Sequence, residues 1–334
     1  MKHNIDQQAA IIGGGVIGGG WAARFLLSGW DVNIHDPDPE AHRKINDVIS
    51  NARQSLPQLT SDKPIEEGTL TFSNTLESAV DNATWIQESV PERLDVKQSV
   101  FAEIEQHANE QAIVASSTSG FKPSQLREKA KHPERLLVAH PFNPVYLLPL
   151  VELVGSPTES TTTVERRHIE KATFILKSLG MKPLRVRKEI DAHIADRFLE
   201  AVWREALWLI KDDVATTEEI DDAIRFGFGL RWAQMGLFET YRVAGGEAGM
   251  AHFIEQFGPC LSWPWTKLMD VPELDDDLVN KIAKQSDEQS GSYSIRELEA
   301  IRDKNLVEIM QVLKNNDWGA GAHLNEIEST LKVD

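Results

Sequence analysis

The chain has a single cysteine, Cys260, in 334 residues. One cysteine excludes an internal disulfide and a cluster of thiolate ligands. The ten histidines form no H-x-x-x-H or H-E-x-x-H pair, so the sequence predicts no metal site. Apolar runs all stay well short of the roughly 18 residues of a membrane span, and MKHNIDQQ lacks the apolar core of a signal peptide. We therefore expect a cytoplasmic protein without a membrane segment.

Positive charge is also scarce, with 35 Lys and Arg against 52 Asp and Glu and a net charge of −17. Nucleic acids and anionic membrane surfaces would be repelled, so neither is an expected partner. The same charge disfavours a polyanionic substrate such as a coenzyme A thioester. The hydrophobic fraction, 41%, is that of a globular protein, and the length indicates two domains.

Glycine, by contrast, is concentrated near the N-terminus, where AIIGGGVIGGGWAA (10–23) has six glycines. An apolar strand precedes them and a helical pattern follows, which predicts the strand, turn and helix of a dinucleotide-binding unit. Its glycines allow the tight turn, the approach of a pyrophosphate to the backbone and close helix packing. The free N–H groups of the helix N-terminus favour the same anion. The predicted cofactor contacts are Gly13, Gly14, Gly15, Val16, Ile17 and Gly18.

The following apolar run, WDVNIHD, ends in Asp36, which lies 23 residues after Gly13. A carboxylate there would accept hydrogen bonds from the adenosine ribose and repel a 2′-phosphate. The sequence therefore predicts NAD rather than NADP as the cofactor.

Short apolar runs alternate with amphipathic stretches up to about residue 186, and helical patterns follow from Ile194. The alternation predicts an α/β fold, with an N-terminal Rossmann-type doubly wound, mostly parallel sheet and an all-helical C-terminal domain. We expect an NAD-binding domain over 1–188 and a helical substrate and dimerisation domain over 189–334. A cleft beside the nucleotide site would suit a small ligand.

Two ionisable residues could perform proton transfer. His140 directly follows the apolar part of RLLVAHP, and Glu152 lies in the next apolar run, LPLVELVG. Histidine suits a general base because its ordinary pKa of about 6.5 is near working pH. A paired glutamate would orient the ring and favour its protonated form. The residues alone leave open that His140 only stabilises a turn and that Glu152 pairs with an arginine.

Five motifs together resemble the 3-hydroxyacyl-CoA dehydrogenase family: IIGGGVIGGG, ESVPERLDVK, ASSTSG, HPFNP and VELVG. The resemblance covers nearly the whole chain and implies a homodimer joined through the helical domain. It implies that His140 is the acid/base, that Glu152 orients it and that Ser119 hydrogen-bonds the reacting oxygen. It also implies that Glu92 and Lys97 lie near the nicotinamide ribose. Ser117 stands where acyl-CoA enzymes often have an asparagine near the carboxamide.

The sequence departs from the acyl-CoA branch of that family in the substrate region. DAHIADR replaces a Pro-Gly-Phe-x-x-Asn-Arg pattern, so the carboxylate of Asp196 stands in place of an amide and would attract a cation. LRWAQMG replaces a Pro-Met-Gly-Pro turn. There Arg231 could bind a carboxylate and Trp232 a quaternary ammonium. Phe142 and Tyr146 could border the same pocket.

Taken together with the 3-hydroxy substrates that the resemblance implies, these changes predict a small 3-hydroxy acid with a carboxylate at one end and a quaternary ammonium at the other. L-carnitine has this structure, and we expect its NAD-dependent oxidation to 3-dehydrocarnitine. A dehydrogenase for another small 3-hydroxy acid such as L-gulonate remains an alternative, as does a non-enzymatic, crystallin-like NAD-binding protein. A coenzyme A ester is the weakest alternative.

Overall fold

A computed structural model describes residues 7–59, 65–156, 162–233, 236–245, 249–266, 275–278, 280–281, 284–285 and 292–331. The described residues divide into two compact units. The first is drawn from 1–196, 303–311 and 323–334, and the second from 197–302 and 312–322.

The first unit is built on one eight-stranded sheet with the order β3-β2-β1-β4-β5-β6-β7-β8. Strands β1 to β6 are parallel, β7 runs antiparallel to β6, and β8 runs parallel to β7. The strands are β1 (Gln8–Ile12), β2 (Asp31–His35), β3 (Leu70–Phe72), β4 (Trp85–Glu88), β5 (Ile113–Ser116), β6 (Leu136–Pro141), β7 (Leu150–Val154) and β8 (Lys182–Val186). The predicted Rossmann-type, mostly parallel sheet is confirmed.

Six helices of the first unit connect these strands: α1 (Val16–Leu26), α2 (Ala41–Ser55), α3 (Leu76–Val80), α4 (Leu94–His107), α5 (Pro123–Leu126) and α6 (Thr163–Ser178). One apolar face of α4 packs inward, since Phe101 and Ile104 are buried in the same core cluster as Ile86 and Val114 of the sheet. Burial of such side chains stabilises each by roughly 1.5–3 kcal/mol. The sheet is therefore a rigid base for the loops at its carboxyl edge.

The C-terminal part of the chain is helical, as the sequence predicts. The helices with bounds in the described ranges are α7 (Ala195–Lys211), α8 (Thr217–Ala223), α9 (Gly229–Trp232), α10 (Gly236–Ala244), α11 (Gly249–Phe257), α12 (Ile295–Asn315) and α13 (Gly319–Leu331). A π-helical turn, Ile224–Phe228, joins α8 to α9. Among the helices of the described ranges, none is both long and apolar enough to cross a membrane.

Candidate active site

The glycine turn after β1 has the shape that a dinucleotide requires. Gly13 has φ of +99°, which side chains rarely adopt, and a Cβ there would lie 2.6 Å from the carbonyl oxygen of Ser89. A Cβ on Gly18 would lie 1.8 Å from the carbonyl oxygen of Gly13, so α1 packs directly on the turn. At Gly15, a Cβ would meet nothing within 4 Å. This open backbone fits the pyrophosphate of NAD, next to the N-terminus of α1.

Asp36 follows β2 and contacts the glycine turn. Its Oδ2 accepts the N–H of Gly14 at 2.5 Å, and its Oδ1 accepts the N–H of Asp38 at 2.7 Å. The carboxylate also lines a cleft of about 360 Å³, together with His42 and Phe72, whose rings stack with centroids 3.6 Å apart. A carboxylate beside such a cleft fits the ribose of an adenosine.

Asp36→Asn is expected to weaken NAD binding about tenfold and to raise the ratio of NADP to NAD use by at least as much. The amide oxygen can accept the N–H of Gly14 or that of Asp38 but not both, so one hydrogen bond is lost together with the charge that would bind ribose hydroxyls and repel a phosphate. Steady-state kinetics with both cofactors measure the ratio. Asp47→Asn, on the outer surface of α2, serves as the matched control. An unchanged cofactor ratio in Asp36→Asn would contradict the assignment.

His140 and Glu152 are direct partners across the antiparallel pair β6 and β7. The Nδ1 of His140 lies 3.0 Å from Oε2 of Glu152, and both side chains are buried. Because a carboxylate can only accept, Nδ1 carries the hydrogen and the neutral ring presents the lone pair of Nε2. The pair has the geometry of a general base held by an orienting carboxylate.

The carboxylate of Glu152 accepts hydrogen bonds from three donors. Its second oxygen, Oε1, accepts the backbone N–H groups of Ile194 at 2.9 Å and Ala195 at 3.0 Å, at the start of α7. Burial opposes the ionisation of Glu152, but the hydrogen bonds from His140, Ala195 and Ile194 outweigh it and hold its pKa below the ordinary value. Glu152 is therefore a carboxylate at neutral pH and can stabilise an imidazolium on His140.

Asp196 and His193 stand beside the same imidazole. Oδ2 of Asp196 lies 3.7 Å from Nε2 of His140, and the rings of His193 and His140 have centroids 5.5 Å apart. The Nε2 of His193 lies 3.1 Å from the carbonyl oxygen of Thr118 and must donate to it. Burial, with a smaller contribution from His140, lowers the pKa of His193, so this ring is neutral. The structure thus brings Asp196 to the atom that would accept a proton.

Lys97 is buried, with a side chain only 1% exposed. Its Nζ lies 2.8 Å from Oε1 of Glu88, 3.2 Å from Oε2 of Glu92 and 3.1 Å from the carbonyl oxygen of Val90. Glu88 also accepts the hydroxyl of Ser116 at 2.5 Å. Burial raises the pKa of Glu88, and the ammonium of Lys97 opposes this effect. Lys97 therefore links the start of α4 to the end of β4, and Glu88 links the end of β4 to β5.

The loop after β5 carries the predicted serines. Oγ of Ser117 lies 2.8 Å from both Nε2 of Gln87 and Oγ of Ser89, and Ser119 is exposed. Glu92 accepts the hydroxyl of Thr118 and the N–H of Gly120, the latter at 3.2 Å. Both serines lie at the carboxyl edge of the sheet, and their cofactor and substrate contacts stay predictions.

The remaining predicted substrate residues lie in different places. The ring of Phe142 meets that of His140 edge-on, with centroids 4.9 Å apart. Tyr146 is buried, and its hydroxyl donates to Asp303 at 2.5 Å. Arg231 and Trp232 are exposed residues of α9 in the second unit, where Trp232 contacts Phe228. The substrate contacts of all four stay predictions.

Three residues of the site were not predicted from the sequence: Glu88, Thr118 and His193. Glu88 is a charged residue at the end of a buried strand. A buried charge needs an ion-pair or hydrogen-bond partner, so the sequence indicates that Glu88 has one. His193 stands where the acyl-CoA pattern has phenylalanine, so the replacement of an apolar by a polar residue was visible. Thr118 has no such signal. No group of three His, Cys, Asp or Glu side chains among the described residues could hold a metal ion.

The glycine turn, the carboxylate of Asp36 and the His140–Glu152 pair all lie at the carboxyl edge of one mostly parallel sheet. This arrangement defines the class, a nicotinamide-dependent dehydrogenase.

The chain belongs to the 3-hydroxyacyl-CoA dehydrogenase family. Residues 8–190 match its NAD binding domain and residues 193–294 match its C-terminal domain. The chain is 67% identical over 97% of its length to an L-carnitine dehydrogenase/betainyl-CoA thioesterase of Ruegeria pomeroyi, and it spans only 66% of that protein. It is 61% identical over 96% of its length to an L-carnitine dehydrogenase of Mesorhizobium japonicum, of which it covers 88%.

A solved structure shares the fold. The NAD⁺-dependent dismutase 5-formyl-3-hydroxy-2-methylpyridine 4-carboxylic acid 5-dehydrogenase is 26% identical, with a TM-score of 0.74. The match covers 93% of this chain and 99% of that one. This likeness extends over both predicted domains.

Proposed function

We propose that the protein oxidises L-carnitine to 3-dehydrocarnitine with NAD. The observation that carries this proposal is the carboxylate of Asp196, 3.7 Å from Nε2 of His140. In L-carnitine the carbon that bears the ammonium is bonded to the carbon that bears the hydroxyl. A hydroxyl at His140 therefore brings the cation close to Asp196, where opposite charges attract. The names of the similar proteins from Ruegeria pomeroyi and Mesorhizobium japonicum support the same substrate.

In this proposal the neutral ring of His140 accepts the hydroxyl proton at Nε2. Bound NAD would supply the acceptor for the hydride from C3 of the substrate. Glu152 keeps the hydrogen on Nδ1 and stabilises the imidazolium that forms, at no cost in reorganisation because its own hydrogen bonds are already made. Ser119 would donate to the reacting oxygen, and Phe142 would exclude water from one side of the ring.

The remaining contacts are proposed as the sequence predicts them. Glu92, Lys97 and Ser117 would serve the nicotinamide end of the cofactor. Arg231 would bind the substrate carboxylate, and Trp232 and Tyr146 would border its apolar surface. The predicted boundary near residue 188 and the cytoplasmic location rest on the sequence alone.

Comparison of four substrates tests the function. NADH formation is followed with L-carnitine, D-carnitine, L-gulonate and 3-hydroxybutyryl-CoA at equal concentrations. We expect turnover with L-carnitine and at least about a hundredfold lower kcat/KM with the others, since an uncompensated charge or a misplaced hydroxyl costs several kcal/mol. Preference for gulonate or for the thioester would contradict the proposal. Absence of turnover with every substrate would favour the non-enzymatic alternative.

We also propose that the protein is a homodimer joined through its helical part. Four apolar residues on one face of α7 are exposed in the single chain: Phe198 (56%), Leu199 (57%), Val202 (37%) and Trp203 (57%). A continuous apolar stripe of this kind is typical of a contact surface. A second copy is the proposed occupant, because a two-fold contact can bury the same stripe on both chains.

Trp203→Glu is expected to convert a dimer into monomers, since a charge at the centre of an apolar contact is costly to bury. Sedimentation equilibrium measures the mass. Glu200→Gln, on the same helix, is the control and should remain dimeric. A monomeric wild-type protein at micromolar concentration would contradict the proposed assembly.

A further inference from the structure

Gln87 is a polar side chain on a central strand of the sheet. It lies on β4 and is 0% exposed, and a buried amide needs hydrogen-bond partners at both of its ends. Its Oε1 accepts the indole N–H of Trp85 at 2.9 Å. Its Nε2 lies 2.8 Å from Oγ of Ser117 and 3.4 Å from the carbonyl oxygen of Ala139. The proposed proton transfer gives this side chain no role.

The indole of Trp85 fixes the direction in which the amide of Gln87 points. An indole N–H can only donate, so the atom that faces it is the amide oxygen, and the amide nitrogen faces Ser117. The reverse orientation would set the amide N–H against the indole N–H. Ser117 therefore accepts a hydrogen bond from Gln87 and keeps its own hydroxyl hydrogen.

Ser117 and Ser89 form a hydroxyl pair, with their Oγ atoms 2.8 Å apart. Whichever serine donates, one of the two hydroxyl hydrogens lies between the two oxygens. Among the described residues, the structure gives these hydroxyls no partner besides each other and Gln87. One hydroxyl hydrogen of the pair thus remains for another acceptor. Both serines are half-buried, so a ligand can reach them.

The hydroxyl pair lies between the glycine turn and His140 along the carboxyl edge of the sheet. Four register partners form one row across β1, β4, β5 and β6: Ile12, Glu88, Ser116 and Val138. The residues that follow them keep the same order: Gly13, Ser89, Ser117 and Ala139. A dinucleotide with its pyrophosphate at the glycine turn and its nicotinamide beside the substrate at His140 must pass this pair. The carboxamide is the hydrogen-bonding group of that ring.

We propose that Ser89 and Ser117 together bind the nicotinamide carboxamide by donating one hydrogen bond to its oxygen, and that Gln87 is the positioning residue that sets this direction. The inference rests on the proposed contact of Ser117 with the nicotinamide end of NAD, and it does not depend on which alcohol is oxidised. A bound carboxamide limits the rotation of the nicotinamide ring and so keeps one face of the ring toward the substrate.

Equilibrium binding tests the contact without turnover. The ligands are NAD⁺, ADP-ribose, which lacks the nicotinamide, and 3-acetylpyridine adenine dinucleotide, whose acetyl group keeps the carbonyl oxygen but has no N–H. Calorimetry measures each dissociation constant. In the double variant Ser89→Ala with Ser117→Ala, the constants of NAD⁺ and of the acetylpyridine analogue should both rise about fivefold, the effect of one lost hydrogen bond. That of ADP-ribose should stay the same. Ser99→Ala, at an exposed serine of α4, is the control and should change none of the three.

The other outcomes give different patterns. A loss confined to NAD⁺ would show that the pair accepts from the carboxamide nitrogen, which overturns the donor direction. Equal losses for all three ligands would show a structural role alone, and unchanged constants would show that the serines do not touch the cofactor. Either result overturns the inference. A wild-type protein that gives the expected pattern but does not oxidise L-carnitine would contradict the proposed function alone.

Gln87→Met tests the positioning role, because the thioether is of similar size but has no amide. The hydroxyl of Ser117 can then turn, so the affinity for NAD⁺ should fall about threefold, with ADP-ribose binding unchanged. Added to the serine double variant, Gln87→Met should leave the ratio of the two dissociation constants as it is, since Gln87 acts through the serines. A further change in that ratio would overturn the positioning role. If Gln87→Met fails to bind ADP-ribose and is therefore misfolded, Trp85→Phe replaces it. That variant keeps Gln87 but removes the donor that fixes its amide, and the same pattern is expected.

Discussion

Replacement of His140 by glutamine is expected to lower kcat for L-carnitine about a thousandfold, with a much smaller change in KM. An amide of similar size fills the space, but it cannot accept a proton at neutral pH, and general acid/base catalysis typically contributes about 10²–10⁴-fold. The loss should appear in the chemical step, which a primary isotope effect with substrate deuterated at C3 would detect. Steady-state NADH formation measures kcat.

Cofactor binding supplies the control for that variant. The NAD dissociation constant of His140→Gln should match the wild type, because the glycine turn and Asp36 lie at other strands. His132→Gln, which changes a histidine with a side chain 56% exposed, should keep full activity. Turnover of His140→Gln within a factor of ten of the wild type would assign the base to another group.

The His–Glu pair shows what the sequence could predict. His140 lies at the end of one short apolar run and Glu152 lies within the next. A buried carboxylate needs a partner, so this arrangement suggests that the two residues pair. The spacing of the two strands in the sequence is also informative. Only eight residues separate Pro141 from Leu150, too few for a parallel crossover, so β6 and β7 must be antiparallel. That register places His140 directly opposite Glu152.

The position of Asp196 beside His140 could not be predicted from periodicity. It depends on the turn before α7, in which Ala192 and His193 both have positive φ, at +59° and +49°. Alanine rarely adopts that conformation, and histidine, although enriched there, adopts it only in a minority of cases, so local propensity does not predict the turn. The turn is held by tertiary contacts instead: the N–H of Ala192 donates to the carbonyl oxygen of Gly120 at 3.2 Å, and His193 donates to Thr118.

The burial of Lys97 is a second feature that the sequence did not show. The resemblance assigned this lysine to the cofactor, and a charged residue on an amphipathic helix is ordinarily solvated. Its partner Glu88 lies on another element, at the end of β4. Helix periodicity cannot reveal a contact of this kind, because it depends on which strand end the helix start packs against.

Lys97→Met is expected to lower the free energy of unfolding by about 3–5 kcal/mol, since it leaves the carboxylate of Glu88 buried without its counter-ion. Burial would then raise the pKa of Glu88 further, against the hydrogen bonds from Ser116 and Val90 alone. A carboxyl whose pKa is raised by folding destabilises the folded protein as the pH rises above the unfolded pKa of about 4.3. The destabilisation caused by Lys97→Met should therefore be larger near pH 8 than near pH 5. Urea unfolding at both pH values measures it.

The double variant Glu88→Gln with Lys97→Met separates the structural role of Lys97 from its predicted cofactor contact. Removal of both charges should restore most of the stability, because a buried ion pair replaced by neutral groups is often nearly neutral in energy. If Lys97 also binds the nicotinamide ribose, the double variant should regain stability but keep a raised KM for NAD. Lys129→Met, at an exposed lysine, is the matched control. A double variant with wild-type stability and wild-type KM would show that Lys97 serves the fold alone.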